Sequence, residues 1–361
     1  MLKGIKKTVL RSLRALGAFS VVRDSRWRRR RLLILAYHGV SLDDEHLWDG
    51  SLYMSPDCFR SKMRALEESG AAVLPLGEAV ERLYAGDLPE RSVALTFDDG
   101  HHDFYAQAFP IIREFGFPVT LYLTTFYSNF NRPVFDTFCS YLLWKGRGRR
   151  LDAGEWAGRP LTLDLSSAAG RAAACELLRR SARERRLSAE EKDATLVRLA
   201  GRLGVDYEEL AARRILHILK PEEGRRLADA GVDVQLHTHR HRTPLDRELF
   251  RREIIENREC IRAMTGGAAS HFCYPSGAYD GAFLPWLEEL GVTSAMTCDV
   301  GYASRDSERL LLPRLLDVSS LSRLEFEAWL TGVAAALPRR RGRADARGDL
   351  RVAAGSVLHS P

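Results

Sequence analysis

The chain lacks most of the features that would assign it to a specialised class of protein. Its six cysteines are scattered over 361 residues without a C-x-x-C pair, which argues against a disulfide framework and fits a reducing compartment. No apolar run is long enough to cross a bilayer, and basic residues interrupt the only candidate core of a signal peptide. Helix-turn-helix, zinc-finger and RRM signatures are also missing, so we expect no nucleic-acid partner. These absences predict a cytoplasmic protein.

Positive charge is concentrated at the two ends. Residues 1–31 contain eleven Lys and Arg against one acid, a net of +10, and residues 338–361 contain six Arg against two acids, a net of +4. Because the whole chain has a formal charge of +6, the part between them carries −8. The positive net charge of the whole chain therefore says nothing about a binding site between residues 32 and 337. We expect residues 338–361 to form a basic, disordered tail.

The first 31 residues form a basic arm with an amphipathic pattern. Apolar side chains recur at about helical spacing, and lysine and arginine fill much of the remainder. This combination is typical of helices that lie on an anionic membrane surface. A solvated arm explains the same pattern equally well. If the arm binds lipid, the protein is peripheral to the inner membrane. The apolar positions are Leu2, Ile5, Val9, Leu10, Leu13, Leu16 and Phe19.

The body of the chain alternates predicted strands and helices. Segments such as "LLILAYHGV" (32–40), "SVALTFDDG" (92–100) and "PVTLYLTT" (118–125) are short apolar runs bounded by polar residues, which predicts buried strands. Strands that alternate with helices indicate a parallel α/β sheet or barrel, in which ligands meet the carboxyl ends of the strands. Residues from about 126 to 216 break the alternation with a candidate hairpin (152–165) and arginine-rich helices. We expect a largely helical insertion there.

Two predicted strands end in groups that can bind a metal ion. Asp98 and Asp99 follow one strand directly, although Asp-Asp-Gly is also common in turns. The segment "QLHTHRHRTPL" (235–245) follows another and contains three histidines. If it stays extended, His237 and His241 lie about 13 Å apart and a pair of alternate histidines must act; if it curls into a helical turn, they meet. Spacing alone leaves both pairings open. Carboxylate and imidazole together suit zinc or a similar ion.

Three motifs carry a family resemblance. "TFDDG", then "HTHRH" as an H-[ST]-x-x-H match, then "FCYPSG" resemble, in this order, carbohydrate esterase family 4, the polysaccharide deacetylases with a NodB homology domain. The likeness runs from about residue 92 to 316. It implies a distorted (β/α) barrel over 32–337, with the NodB-like core at about 92–337 and the helical insertion inside it. It also implies metal-dependent removal of N-acetyl groups from a sugar or glycan precursor.

The resemblance also implies roles for individual residues. Asp98 would be the general base, and Asp99, His237 and His241 would hold one divalent ion, Zn²⁺ being the simplest choice. The ion would acidify a water molecule and polarise the acetyl carbonyl while Asp98 takes the proton. A backbone N–H near Tyr274 would help to hold the oxyanion.

The sequence departs from the family pattern in two places. "LLLPRLLDV" lacks the late Leu-x-His histidine, and Cys273 stands where the third motif usually has arginine. Arg314 could supply the missing positive charge, with an ordinary surface or ion-pairing arginine as an alternative of at least equal weight. For the general acid, we expect Asp98 to return its proton, with His239 or His271 as the other donors.

Further contacts and alternative functions complete the expectations. Tyr274 and Pro275 would line the sugar site, with core packing as the equal alternative. His38 would contact the substrate, with a structural role as its alternative. A cytoplasmic enzyme would meet a lipid-linked or nucleotide-linked acetylated sugar rather than a finished polymer. The alternatives are an O-acetyl esterase acting on a glycan and a non-catalytic, metal- and glycan-binding relative.

Overall fold

The computed structural model describes residues 2–337, with side chains described from residue 7 onward. The expected basic tail (338–361) lies outside the described residues. Within residues 2–337, no helix is both long enough and apolar enough to cross a membrane. The strands are β1 (Leu33–Tyr37), β2 (Gly39–Val40), β3 (Tyr53–Met54), β4 (Val93–Phe97), β5 (Thr120–Leu123), β6 (Arg150–Asp152), β7 (Thr162–Asp164), β8 (Asp233–Leu236), β9 (His271–Cys273), β10 (Ser294–Val300) and β11 (Leu312–Leu316).

Helices surround these strands. The α-helices are α1 (Leu2–Ala15), α2 (Ala18–Arg23), α3 (Arg26–Arg29), α4 (Glu45–Trp48), α5 (Pro56–Glu68), α6 (Leu76–Ala85), α7 (Phe109–Glu114), α8 (Phe135–Lys145), α9 (Gly154–Ala157), α10 (Ala168–Glu184), α11 (Ala189–Leu203), α12 (Tyr207–Ala212), α13 (Pro221–Asp229), α14 (Arg247–Thr265), α15 (Phe283–Glu289), α16 (Arg323–Thr331) and α17 (Val333–Ala336). A π-helical turn (Phe104–Ala108) precedes α7, and 3₁₀ turns cover Phe126–Asn129 and Pro275–Gly277.

Seven parallel strands close into a barrel in the order β1-β11-β10-β9-β8-β5-β4. Closure depends on β1, which pairs with β4 on one side and with β11 on the other, so Leu35 lies opposite both Leu95 and Leu315. The five residues of β1 and of β4 are all buried, as expected for strands enclosed by a barrel interior and an outer helix layer. The predicted (β/α) barrel is confirmed. Because the strands are parallel, their carboxyl ends lie at one rim.

The residues between β5 and β8 form a second hydrophobic core. Helices α8, α10 and α11 pack together around buried side chains such as Phe138, Leu178 and Leu199. The hairpin β6–β7 is antiparallel and places Leu151 opposite Leu163. This part of the chain is therefore largely helical and has a core of its own beside the barrel.

The N-terminal arm is docked on the barrel. Helices α1 and α2 contact α16, and Leu10 and Phe19 are buried in the barrel's main hydrophobic cluster. Arg28 is buried as well and donates hydrogen bonds to the carbonyl oxygens of Leu330 (3.0 Å) and Ser92 (3.3 Å). The arm is therefore part of the folded molecule, and the expectation of a wholly solvated extension is wrong.

Candidate active site

The acidic pair forms a sharp turn at the rim of the barrel. The backbone N–H of Asp98 still donates to the Tyr37 carbonyl at 2.9 Å, so Asp98 continues the β1–β4 pairing. Asp99 has a φ of 69° and Gly100 a φ of 77°. A side chain on Gly100 would collide with Leu123. A non-glycine residue in the left-handed region carries roughly 1–3 kcal/mol of backbone strain, and residues strained in this way cluster at functional sites.

The histidine segment turns immediately after its strand. Strand β8 ends at Leu236, and Thr238 (φ 62°) and His241 (φ 54°) both adopt left-handed conformations. The resulting loop brings the rings of His237 and His241 to a centroid distance of 4.9 Å. The curled pairing considered in the sequence is therefore the one observed. The curl is made by two left-handed residues, so the expected helical turn is wrong.

Asp99 lies between the two histidines. Its Oδ1 atom is 3.1 Å from Nε2 of His237 and 3.1 Å from Nε2 of His241. The ligand atoms of the three residues all lie within 4.8 Å of one another. The other ring nitrogen of His237, Nδ1, is 2.9 Å from the Cys273 carbonyl oxygen and must donate its proton there, so Nε2 is the atom through which His237 would bind a metal ion. One carboxylate and two imidazoles fit a zinc-type ion.

The charge of Asp99 follows from these neighbours. Burial would raise the pKa of the Asp99 carboxyl, but His241 and His237 outweigh it and hold that pKa well below its usual range. The group is therefore an ionised, buried carboxylate.

Arg314 clamps the neighbouring Asp98. Its Nη1 and Nη2 atoms donate to the two carboxylate oxygens at 2.8 and 2.7 Å. The guanidinium also donates to the Thr297 carbonyl (3.0 Å) and the Thr96 hydroxyl (3.2 Å), and the residue is only 1% exposed. Arg314 is therefore not a surface residue; it is a buried arginine that pairs with Asp98. Burial alone would raise the pKa of Asp98, but Arg314 lowers it to about 2.

Cys273 lies beside this ion pair. Its Sγ is 3.5 Å from Oδ2 of Asp98 and 3.1 Å from Nη2 of Arg314. Burial raises the pKa of the thiol well above its ordinary value, so the group is a neutral thiol. At the position where the family motif usually has arginine, this chain has a small side chain, and the Arg314 guanidinium from β11 contacts Asp98 instead.

Of the other histidines considered for the site, only His38 lies close to Asp98. It follows β1, its Nε2 is 3.9 Å from Oδ2 of Asp98, and its side chain is 15% exposed. His239 turns away, with Nδ1 2.8 Å from the Thr125 hydroxyl. His271 starts β9 at the opposite rim, where its Nδ1 is 2.8 Å from the Ser294 hydroxyl. His239 and His271, the two other donors considered in the sequence, therefore make their contacts away from Asp98.

Tyr274 is a core residue. Its backbone N–H donates to the Met296 carbonyl at 3.1 Å and its hydroxyl to the Leu310 carbonyl at 3.0 Å, while its buried ring packs on Phe272. Core packing, the equal alternative for Tyr274, is therefore the one observed, and an oxyanion contact from a backbone N–H near Tyr274 stays a prediction. Pro275 is also buried, at the start of a 3₁₀ turn, and its place beside the sugar stays a prediction.

Two residues that support the histidine loop were missed in the sequence. The Asn257 side chain accepts from the backbone N–H of His237 at 2.9 Å. The Glu253 carboxylate accepts from the backbone N–H of Arg240 and the side chain of Arg242, each at 2.7 Å. Both residues are buried on α14, one helical turn apart. A polar pair at i and i+4 on an otherwise apolar face was the signal that could have found them.

Comparison with known proteins agrees with this geometry. The family model of the polysaccharide deacetylases matches residues 85–141 and 187–295, which include the acidic turn, the histidine loop and Cys273. The chain belongs to the polysaccharide deacetylase family. Poly-β-1,6-N-acetyl-D-glucosamine N-deacetylase of Escherichia coli K12 is 29% identical over 100 residues, which are 27% of this chain and 15% of that protein. This chain therefore matches only a small part of that relative's length.

Solved structures show the same fold. The deacetylase PplD of Streptococcus pyogenes, solved in complex with acetate, superposes with a TM-score of 0.53 and 18% identity over 82% of this chain and 96% of that one. A polysaccharide deacetylase of Bacillus cereus gives a TM-score of 0.51 and 16% identity over 83% of this chain and 69% of that one. Both similarities support the barrel architecture.

Proposed function

We propose that the protein is a metal-dependent hydrolase that removes N-acetyl groups from a sugar or glycan precursor. The observation that carries this proposal is the proximity of a potential metal triad, Asp99, His237 and His241, to a separate ionised carboxylate, Asp98, at the barrel rim. A protein that only binds glycans has no need of a second buried carboxylate with its own arginine. Membership of the deacetylase family supports the reaction class.

Three residues would hold one divalent ion, most simply Zn²⁺. They are Asp99, His237 and His241, whose ligand atoms cluster within 4.8 Å. When bound, such an ion supplies Lewis acidity, which lowers the pKa of a water molecule and polarises a carbonyl group. His237 would bind the ion through Nε2, because Nδ1 donates to the Cys273 carbonyl oxygen at 2.9 Å.

Asp98 accepts the proton of the attacking water. Arg314 donates to both of its oxygens and keeps the carboxylate ionised and oriented. A protonated Asp98 would lose the charge that Arg314 stabilises, so the proton is best passed on. His38 is the histidine at the rim within 3.9 Å of Asp98, and we assign it the role of donor to the leaving amine. This assignment replaces direct return of the proton by Asp98.

The test combines metal analysis with acetate release from a panel of N- and O-acetylated sugars. Asp98→Asn should retain the metal and the fold but lose roughly 10²–10⁴-fold in acetate release, because the proton acceptor is gone. His241→Ala should lose the metal. Near-normal hydrolysis by Asp98→Asn with metal bound would overturn the mechanism, and a wild-type protein without metal would overturn the site.

The same panel separates the alternative functions. Release from O-acetyl sugars alone would identify an esterase, whose alcohol leaving group needs an acid less than an amine does. Metal binding without any acetate release would identify the non-catalytic, glycan-binding alternative.

The proposed substrate is an acetylated sugar precursor, lipid-linked or nucleotide-linked, met on the cytoplasmic side of the inner membrane. The basic arm (residues 1–31), with a net charge of +10, suits a location at an anionic membrane surface. A reporter enzyme fused to the N-terminus should be active only if it is a reporter that works in the cytoplasm. An active periplasmic fusion would favour finished polymers as substrates instead.

A further inference from the structure

The N-terminal helices expose an unusual amount of apolar surface. Leu16 and Val21 are 82% and 73% exposed, more than Leu47 (64%), the next of the large hydrophobic side chains within the described residues. Val9 and Trp27, on the same three helices, are also among the exposed apolar residues. Clustered exposed apolar side chains on a folded protein mark a surface that contacts something other than water.

Leu16, Val21 and Val9 are distinct from the side chains that hold the arm on the barrel, whereas the half-exposed Trp27 also packs edge-on against Tyr302 at a centroid distance of 5.3 Å. Leu10 and Phe19 are buried in the main core, and Leu13 and Val22 pack partly against it. The arm therefore has two apolar faces, one covered by the barrel and one uncovered. The single amphipathic face expected from the sequence is divided between them.

Free positive charge accompanies the uncovered face. Arg14 pairs with Glu327 and Arg29 with Glu90, both at 2.9 Å. Four other bases of the arm are exposed, and within the described part of the chain none of them forms an ion pair with a carboxylate. They are Lys7, Arg11, Arg26 and Arg30.

We propose that this outer face of α1–α3 binds the surface of an anionic lipid bilayer, with Val9, Leu16, Val21 and Trp27 inserted among the headgroups. Exposed apolar side chains beside uncompensated bases are the complement of such a surface, and tryptophan is favoured at the membrane interface. The buried hydrogen bonds of Arg28 fix α3 to the barrel, so the whole catalytic domain would be held at a set orientation. The inference deepens the membrane location proposed above and is independent of the chemistry.

The test uses the full-length protein and vesicles of phosphatidylcholine, alone or mixed with phosphatidylglycerol, in a co-sedimentation assay. The wild type should bind the mixed vesicles, bind phosphatidylcholine alone far less, and release as salt rises. Leu16→Asp combined with Val21→Asp should weaken binding to the mixed vesicles about tenfold or more. Val197→Asp, an equally apolar exposed position on α11, is the matched control and should bind as wild type.

Acetate release from a soluble acetylated sugar should be the same in all these variants, because none of the changed residues lies at the barrel rim. The proposal is overturned if the wild type ignores mixed vesicles or if the Leu16→Asp/Val21→Asp variant binds them normally. It is also overturned if sedimentation velocity shows that the wild type is a dimer and the variant a monomer, since the face would then be a protein interface. If the wild-type protein releases no acetate from any sugar, that result would contradict the proposed function and not the proposed membrane binding.

Discussion

At the scale of single residues, the Asp98 carboxylate depends on one guanidinium. Both partners are almost fully buried, and Arg314 uses its donors on Asp98, Thr96 and Thr297. Breaking a buried ion pair from one side is costly because the remaining charge loses both water and its partner. The strength of the pair is therefore best seen by removing each partner in turn.

Arg314→Met should lower the free energy of unfolding by about 3–5 kcal/mol, because Asp98 is left ionised and unpaired in the barrel. Adding Asp98→Asn to the same chain should restore much of the loss. Urea unfolding of the two single variants and the double variant measures the coupling. Arg323→Met removes an exposed pair with Glu68 and should cost less than about 1 kcal/mol. Equal losses in Arg314→Met and Arg323→Met would contradict the assigned role.

The sequence predicted the site residues unevenly, for physical reasons. Asp98, Asp99, His237 and His241 follow apolar strands directly, so local pattern and motif sufficed to single them out. Arg314 could only be offered as one of two alternatives, because which side chain fills the space beside Cys273 depends on packing between distant strands. For Tyr274, a sugar contact and core packing were equal alternatives, because the sequence does not show that its donors are used within the barrel.

At the scale of secondary-structure elements, Glu223 joins the end of the helical insertion to the acidic turn. On α13, it accepts from Lys220 N at 2.9 Å, pairs with Arg214, and lies 3.0 Å from Nδ1 of His102, three residues after Asp99. Burial would raise the pKa of Glu223, but its contacts with His102 and Arg214 lower it to about 2. The folded state therefore favours the ionised form.

Glu223→Gln should lower stability at neutral pH by ~1–2 kcal/mol, allowing for partial exposure. Since the folded-state pKa is depressed, the wild-type advantage is full above the ordinary value of 4.5 and is lost as pH falls toward about 2. Urea unfolding at several pH values should show the wild-type and variant curves converging in acid. Glu222→Gln, at the exposed neighbouring position, should show no such convergence.

Elements with local signals were predictable, and the histidine loop was not. The hairpin β6–β7 occurs within two residues of its expected place (152–165), because a hairpin depends on neighbouring residues. In the loop after β8, Thr238 and His241 have left-handed backbone conformations, which few non-glycine residues adopt. Support from Asn257 on α14 stabilises that conformation, and such tertiary support is not visible in local sequence.

At the scale of the whole molecule, the proposed metal ion would join distant parts of the barrel. Asp99 follows β4, whereas His237 and His241 follow β8, and in the barrel order β5 lies between these two strands. Alternation of strands and helices predicted the parallel arrangement. The closure of β1 against β11 came only from the family resemblance, because the alternation fits an open sheet equally well.

Removal of the metal with a chelator should lower the melting temperature and abolish acetate release, and added Zn²⁺ should restore both. The physical reason is that a ligand bound only by the folded state stabilises it by mass action, by about 4 kcal/mol at a thousandfold excess over its dissociation constant. Calorimetry with and without chelator measures the shift. His241→Ala is the control, and its melting temperature should not respond to chelator. A chelator response equal to that of wild type would place the metal elsewhere.

The position of Arg314 has a consequence for synthesis of the protein on the ribosome. Asp98 lies in the first third of the chain and is synthesised early. Its partner Arg314 is on β11, 216 residues later. A nascent chain that lacks β11 has neither the partner of this carboxylate nor the strand that closes the barrel against β1. The barrel rim therefore cannot be completed co-translationally from the N-terminal half of the chain, and Asp98 gains its ion-pair partner only when the last barrel strand has emerged.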